Sequence, residues 1–166
     1  MKNAIKLLFV VLASLVLFTA CASSKEPVPK EEPPTSPDFK LQDINLDTIT
    51  LSSYRDTQPV LLFFWTTWCP FCQKELRILS DMYAGLTKDG IEVLSIDVGE
   101  SPDRVEQFVR NYALAFRVLL DKDTSVSRLF DVMGVPTYVL IDTAGNIVFS
   151  DNFFPQSYRD LIATTK

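Results

Sequence analysis

Two thiols, Cys69 and Cys72, stand three positions apart in Trp65-Thr-Thr-Trp-Cys-Pro-Phe-Cys-Gln-Lys-Glu-Leu76. That spacing serves metal ligation, a structural cross-link, or dithiol–disulfide exchange. Structural zinc takes four ligands, usually two such Cys pairs or one pair with His. This chain has three Cys and no His, so no metal site is expected. A permanent bridge between residues so close shuts a tiny loop and adds little stability through chain entropy. Exchange suits the setting. Cys69 falls where an apolar strand-like run hands over to a helix-like run, and Pro70, lacking an N–H, fits the first helical turn. The unsatisfied N–H groups and the dipole at a helix start favour an anion, here the Cys69 thiolate. Cys72, one turn inside, is expected to be more buried. The pair then consists of an exposed attacking thiol and a sheltered resolving one.

The elements that must hold this pair can be read from periodicity. Pro59-Val-Leu-Leu-Phe-Phe-Trp65 is a continuous apolar run, too short for a helix and typical of a strand buried on both faces. Apolar residues at 72, 76, 79, 83 and 86 have helical spacing, which Gly90 ends. Ile91–Val98 predicts a second buried strand. Ser101, Pro102 and Asp103 form a helix start, with Ser101 as N-cap. Phe116–Leu120 reads as a strand, Thr124–Val132 as a short helix, and Gln156–Thr164 as a closing helix. Pro136–Asp142 and Ile147–Asp151 read as strands joined by a tight turn with Gly145 and Asn146. Short strands are expected around Phe39, Leu41, Ile44, Ile49 and Leu51. Alternating strands and helices with a late hairpin predict an α/β sandwich with a mixed sheet.

The N-terminus is organised differently. Residues 1–20 carry Lys2 and Lys6 followed by an apolar run from Leu7 to Ala20, the layout of a secretory signal. That run is shorter than the roughly 20 residues needed to span a bilayer. Leu17-Phe-Thr-Ala-Cys21 resembles the lipobox of bacterial lipoproteins, which would make Cys21 a lipidated first residue and hold the protein to a membrane. Residues 22–37 contain five of the ten prolines among Lys, Glu and Ser, so 21–37 reads as a lipidated Cys and an extended tether. The remaining domain is 38–166. Without residues 1–20 the chain has 14 basic and 21 acidic side chains, a balance of −7. Such an acidic protein is not expected to seek nucleic acid.

The motif Trp68-Cys-Pro-Phe-Cys72 after an apolar strand resembles the active site of the thioredoxin superfamily. Gly134-Val-Pro-Thr-Tyr-Val-Leu-Ile-Asp-Thr-Ala-Gly-Asn-Ile-Val148 is similar to that family's cis-proline loop and terminal hairpin. The extra helix and strand between these landmarks, with the signal and the tether, look like the membrane-anchored TlpA/ResA-like thiol–disulfide oxidoreductases. The resemblance covers 38–166. It implies a thioredoxin-like three-layer α/β sandwich with an extra N-terminal hairpin and a central helix–strand insert. Cys69 matches the nucleophile, Cys72 the resolving thiol and Pro136 the cis-proline. Trp68, Pro70, Phe71 and Val135 match the surface that meets substrate, Val135 by backbone pairing.

Two departures bear on mechanism. The buried Asp of thioredoxins is replaced by Phe63, and Glu75, three residues after Cys72, matches a Glu of the TlpA/ResA-like proteins and is expected to take its place. Pro70 directly after the first Cys is a feature of some strong oxidants, but those pair it with a His that this chain lacks. The resemblance therefore favours a reductase of envelope-protein disulfides, as in cytochrome c maturation or metal-site assembly. Protein disulfides are then the substrates, a membrane thiol protein the electron donor, and the protein a monomer needing no cofactor in the bacterial cell envelope. Two rivals use the same residues. Thr66-Thr67-Trp68-Cys69 resembles the peroxidatic Thr-x-x-Cys of peroxiredoxins, and a lipoprotein that only docks partners would need no redox cycle.

Overall fold

Every residue of β3 (Val60–Trp65) is buried, as the unbroken apolar run requires of a central strand. The computed structural model describes residues 34–163, so the signal segment, Cys21 and most of the tether lie outside the described residues. β3 pairs in parallel with β4 (Glu92–Val98), which pairs in parallel with β5 (Arg117–Asp121). On its other side β3 pairs antiparallel with β6 (Thr137–Ile141), and β6 with β7 (Ile147–Asp151). The mixed sheet has the order β5-β4-β3-β6-β7.

Side chains alternate across β3, which divides the core into two layers. Leu61, Phe63 and Trp65 pack with Leu76, Leu79 and Leu86 of α1 (Pro70–Lys88) and with Val105 and Val109 of α2 (Pro102–Tyr112). Tyr158 of α4 (Tyr158–Ala163) joins that face. Val60, Leu62 and Phe64 face the opposite way, toward Phe39, Leu51 and Val126 of α3 (Ser125–Leu129). The expected three-layer sandwich is thus formed, with α2 and β5 as the central insert.

The expected N-terminal hairpin is β1 (Lys40–Gln42) with β2 (Thr48–Thr50), an antiparallel pair outside the main sheet. It is tied to the outer strand β5 by a bridge between Asp43 and Leu119 and by the Asp43–Arg117 ion pair at 2.6 Å. This covers an edge that would otherwise be open. The boundary at Pro37 differs from the expectation. Thr35 bridges Asn146, the Ser36 N–H donates to the Gly145 carbonyl at 2.8 Å, and Ser36 is buried. Residues 34–37 thus belong to the domain, because the β6–β7 turn offers backbone partners to a proline-rich segment. Gly145 has φ +88°, and a Cβ there would come within 2.8 Å of Arg55 Nε, so this turn requires glycine.

Candidate active site

Cys69 caps α1 in extended conformation, with Pro70 in the first turn. Cys69 and Cys72 are joined in a disulfide with Cα atoms 5.2 Å apart. The Cys72 N–H donates to Cys69 Sγ at 3.1 Å, so a free backbone donor of the helix start already points at this sulfur. Cys72 is 0% exposed and Cys69 only 5%. The asymmetry has the expected sign, but Cys69 is less open than expected. The handover from β3 to α1 tucks its sulfur against the opposing loop, where Cys69 Sγ lies 3.8 Å from the Val135 carbonyl oxygen. The Val135–Pro136 bond is cis.

Large exposed apolar side chains flank the pair in sequence at Trp68 and Phe71 and precede the cis-proline loop at Met133. Trp68 is 64% exposed, Phe71 76% and Met133 97%. A groove of about 490 Å³ continues from the cis-proline loop, lined by Asp131, Val132, Met133, Gly134, Thr137 and Asn152 among others. Asn152 Nδ2 donates to the Pro136 carbonyl at 2.6 Å and supports the loop from β7's far end. Trp68 and Phe71 were legible from their neighbouring cysteines. Met133 was not, although its place just before Gly134-Val-Pro is a signal that could have marked it.

Glu75 is half-buried on α1 and accepts a hydrogen bond from the Tyr138 hydroxyl at 3.0 Å. The Tyr138 ring lies against Phe63, with centroids 4.5 Å apart, and the two residues are register partners across β3 and β6. Burial first, then the Glu75 carboxylate, pushes the Tyr138 hydroxyl far above its ordinary pKa, so it serves as a fixed donor. Phe63 is thus covered by the Tyr138 ring, whose hydroxyl meets the Glu75 carboxyl group of α1.

A second network was not foreseen. The Thr67 N–H donates to Glu100 Oε2 at 2.5 Å and its hydroxyl to Glu100 Oε1 at 2.7 Å. Arg104 Nε donates to Thr67 Oγ1 and pairs with Glu100, each at 3.1 Å. On the other side, Gln73 Nε2 donates to the Thr67 carbonyl at 2.8 Å and Tyr112 donates to Gln73. The insert, through Glu100, Arg104 and Tyr112, therefore grips the turn that delivers Cys69. Arg104, the kind of group a peroxidatic thiolate would need, is engaged with Glu100 and Thr67. Among the described residues no group of three or more His, Cys, Asp or Glu could hold a metal ion.

An oxidised Cys pair at a helix start, facing the Val135 carbonyl just before the cis-proline, can exchange disulfides with an extended chain laid across it. The AhpC/TSA family profile matches residues 35–150. Over 147 residues the chain is 33% identical to thiol-disulfide oxidoreductase ResA of Bacillus subtilis, covering 89% of this chain and 80% of the relative. The chain belongs to the AhpC/TSA family, with the ResA thiol-disulfide oxidoreductases. A crystal structure assigned as the thiol:disulfide interchange protein DsbE from Chlorobium tepidum superposes with a TM-score of 0.71 at 25% identity, covering 81% of this chain and 96% of that one. A secreted Mycobacterium tuberculosis disulfide oxidoreductase shares the fold at 24% identity, with a TM-score of 0.64 over 76% of this chain and 95% of its own. The protein is a thiol–disulfide oxidoreductase on a thioredoxin-like fold.

Proposed function

We infer that this oxidoreductase reduces disulfides of other proteins outside the cytoplasm, with Cys69 as attacking thiol and Cys72 as resolving thiol. The observation that carries the assignment is the Cys69 sulfur, held between the Cys72 N–H of α1 and the Val135 carbonyl. An extended partner segment pairs with the Val135 backbone as an added strand, and its disulfide meets Cys69. The Cys69 thiolate bonds to one partner sulfur, and the other partner sulfur leaves and takes up a proton. The Cys72 thiolate then attacks Cys69 Sγ, which closes the Cys69–Cys72 disulfide and frees the first partner sulfur as a second thiol. Two electrons and two protons have passed to the partner. A dithiol donor, in this reading a thiol protein of the membrane, reopens the pair. Trp68, Pro70 and Phe71 form the rim that receives the partner, and Glu75 exchanges the proton of Cys72.

Supporting an extracytoplasmic site are the signal-like residues 1–20 and the lipobox-like approach to Cys21. Among the described residues no helix is long and apolar enough to cross a membrane. In this reading a lipid on Cys21 holds a monomer to the membrane, and envelope proteins such as apocytochromes c or metal-site assembly proteins are its clients. The test of direction is the resting redox state in growing cells, read by acid quenching and thiol labelling. A reductase keeps Cys69 and Cys72 mainly as thiols, whereas a pair held mainly as the disulfide reverses the assignment. Cys21→Ser should release the protein from membranes with exchange intact. Membrane retention of an uncut Cys21→Ser chain would contradict lipid anchoring.

A further inference from the structure

Asp97 lies near the C-terminal end of β4, level with Trp65 on β3 and Leu120 on β5. It is 1% exposed, and neither carboxyl oxygen makes a well-formed hydrogen bond, although the Glu100 side chain and backbone lie beside it. An ionised carboxylate in such a place is costly. Burial first, then the neighbouring Glu100 carboxylate, pushes the Asp97 carboxyl up to about 8. Asp97 therefore keeps its proton at neutral pH. The Glu100 carboxyl oxygens meet the Thr67 N–H, the Thr67 hydroxyl and Arg104.

We propose that Asp97 is a positioning residue for exchange at Cys69: buried beside Glu100, it governs how firmly Glu100 holds the Thr67 backbone, two residues before the thiol. The proposal rests on the exchange chemistry assigned to Cys69. The charged groups facing Asp97 are Glu100 in the loop after β4, Asp121 on β5, and, through Glu100, Arg104 on α2. Asp121 is occupied, since it accepts the Val126 and Ser127 N–H groups at the start of α3. When Asp97 releases its proton to solvent, a second negative charge appears beside Glu100 where water cannot screen it. Glu100 then withdraws from Thr67, and the turn that presents Cys69 loosens. The chain has no His, so ordinary side-chain titrations do not crowd this pH range.

The direct test follows the Thr67 backbone amide by NMR in the oxidised full chain, where Cys69 and Cys72 do not titrate. Over about pH 6 to 9.5 its shift should move in one step centred near pH 8, and its hydrogen-exchange protection should fall about tenfold across the step beyond the ordinary pH dependence. Asp97→Asn should abolish the step. Glu100→Gln, which removes the neighbouring charge, should move it to lower pH. In the reduced protein, exchange with a disulfide-bonded protein should agree between wild type and Asp97→Asn near pH 6.5, within about twofold, and favour the variant by about threefold or more near pH 9. A flat Thr67 signal, or a step that survives Asp97→Asn, overturns the proposal. Should Asp97→Asn fail to fold, an unmoved midpoint in Glu100→Gln overturns it equally. Loss of exchange in every form, with the Thr67 step intact, would instead remove the exchange reading of Cys69 while leaving the carboxyl pair in place.

Discussion

The Tyr138 hydroxyl donates to Glu75 at 3.0 Å, which joins the strand after the cis-proline to the helix face that carries Cys72. Glu75 lies three residues beyond Cys72, so the two side chains are neighbours on α1. A negative charge beside a thiol opposes formation of the thiolate.

If Glu75 accepts the Cys72 proton as proposed, Glu75→Gln should let Cys72 ionise at lower pH while slowing exchange at neutral pH. Tyr138→Phe should keep the stack on Phe63 and cost about 1–2 kcal/mol, the loss of one hydrogen bond to a charged group. The check is pH-dependent alkylation of Cys72 with exchange rates for each form. Superimposable curves for Glu75→Gln and wild type would make Glu75 a helix residue without a part in proton transfer.

Stability should carry the signature of Asp97. Its folded-state pKa near 8 is raised above the ordinary value of 3.8. The folded chain therefore holds a proton that the unfolded chain releases between these two values. The associated stability is full below about pH 4, declines as pH rises toward 8, and is constant above it. Asp97→Asn should remove that decline. Urea unfolding at pH 5 and again near pH 9 should show the variant gaining on wild type by on the order of a few kcal/mol at the higher pH. An equal difference at both pH values would place no proton on the folded-state Asp97.

Much of this site was legible because its signals are local. The Cys-Pro-Phe-Cys spacing, the apolar strand before it and Pro70 at the helix start all lie within a dozen residues, and together they favour one of the readings that the spacing alone leaves open. The same holds for Gly134-Val-Pro136 and for the Gly145 turn. The Glu100 network was not legible, because its hydrogen bonds to Thr67 span 33 residues. In the sequence Glu100 is simply an acid just before a helix start, where acids are common. Asp97 reads as one polar residue within a buried strand, and only the fold brings Glu100 beside it. Phe63 was identified as a departure, but that Tyr138 would cover it and reach Glu75 depends on the β3–β6 register. The docking of residues 34–37 was not legible for another reason: a proline-rich composition reads alike whether solvent or a hairpin turn meets its backbone.

The apolar rim should matter for protein partners and not for small ones. Trp68, Phe71 and Met133 are exposed far beyond what a solvated surface needs. Phe71→Ala combined with Met133→Ala should slow exchange with a disulfide-bonded protein by about tenfold, through loss of apolar contact area. Reaction with a small aromatic disulfide should change by less than about twofold. The comparison of second-order rates for the two oxidants decides it, and equal losses for both would mean that the rim shapes the thiols rather than the docking.

In the proposed exchange Cys69 forms the bond to the partner and Cys72 breaks it. Cys72→Ser leaves the attacking sulfur and removes the resolving one, so the covalent intermediate cannot be released by the usual route. The measurement is the yield and linkage of mixed disulfides when reduced Cys72→Ser is mixed with a disulfide-bonded protein, read by non-reducing separation and peptide mapping. Near-stoichiometric adducts joined through Cys69, which added thiol releases, are expected, and none from Cys69→Ser. Adducts joined through Cys72 in the Cys69→Ser chain, or no adduct from Cys72→Ser, would contradict those roles of Cys69 and Cys72.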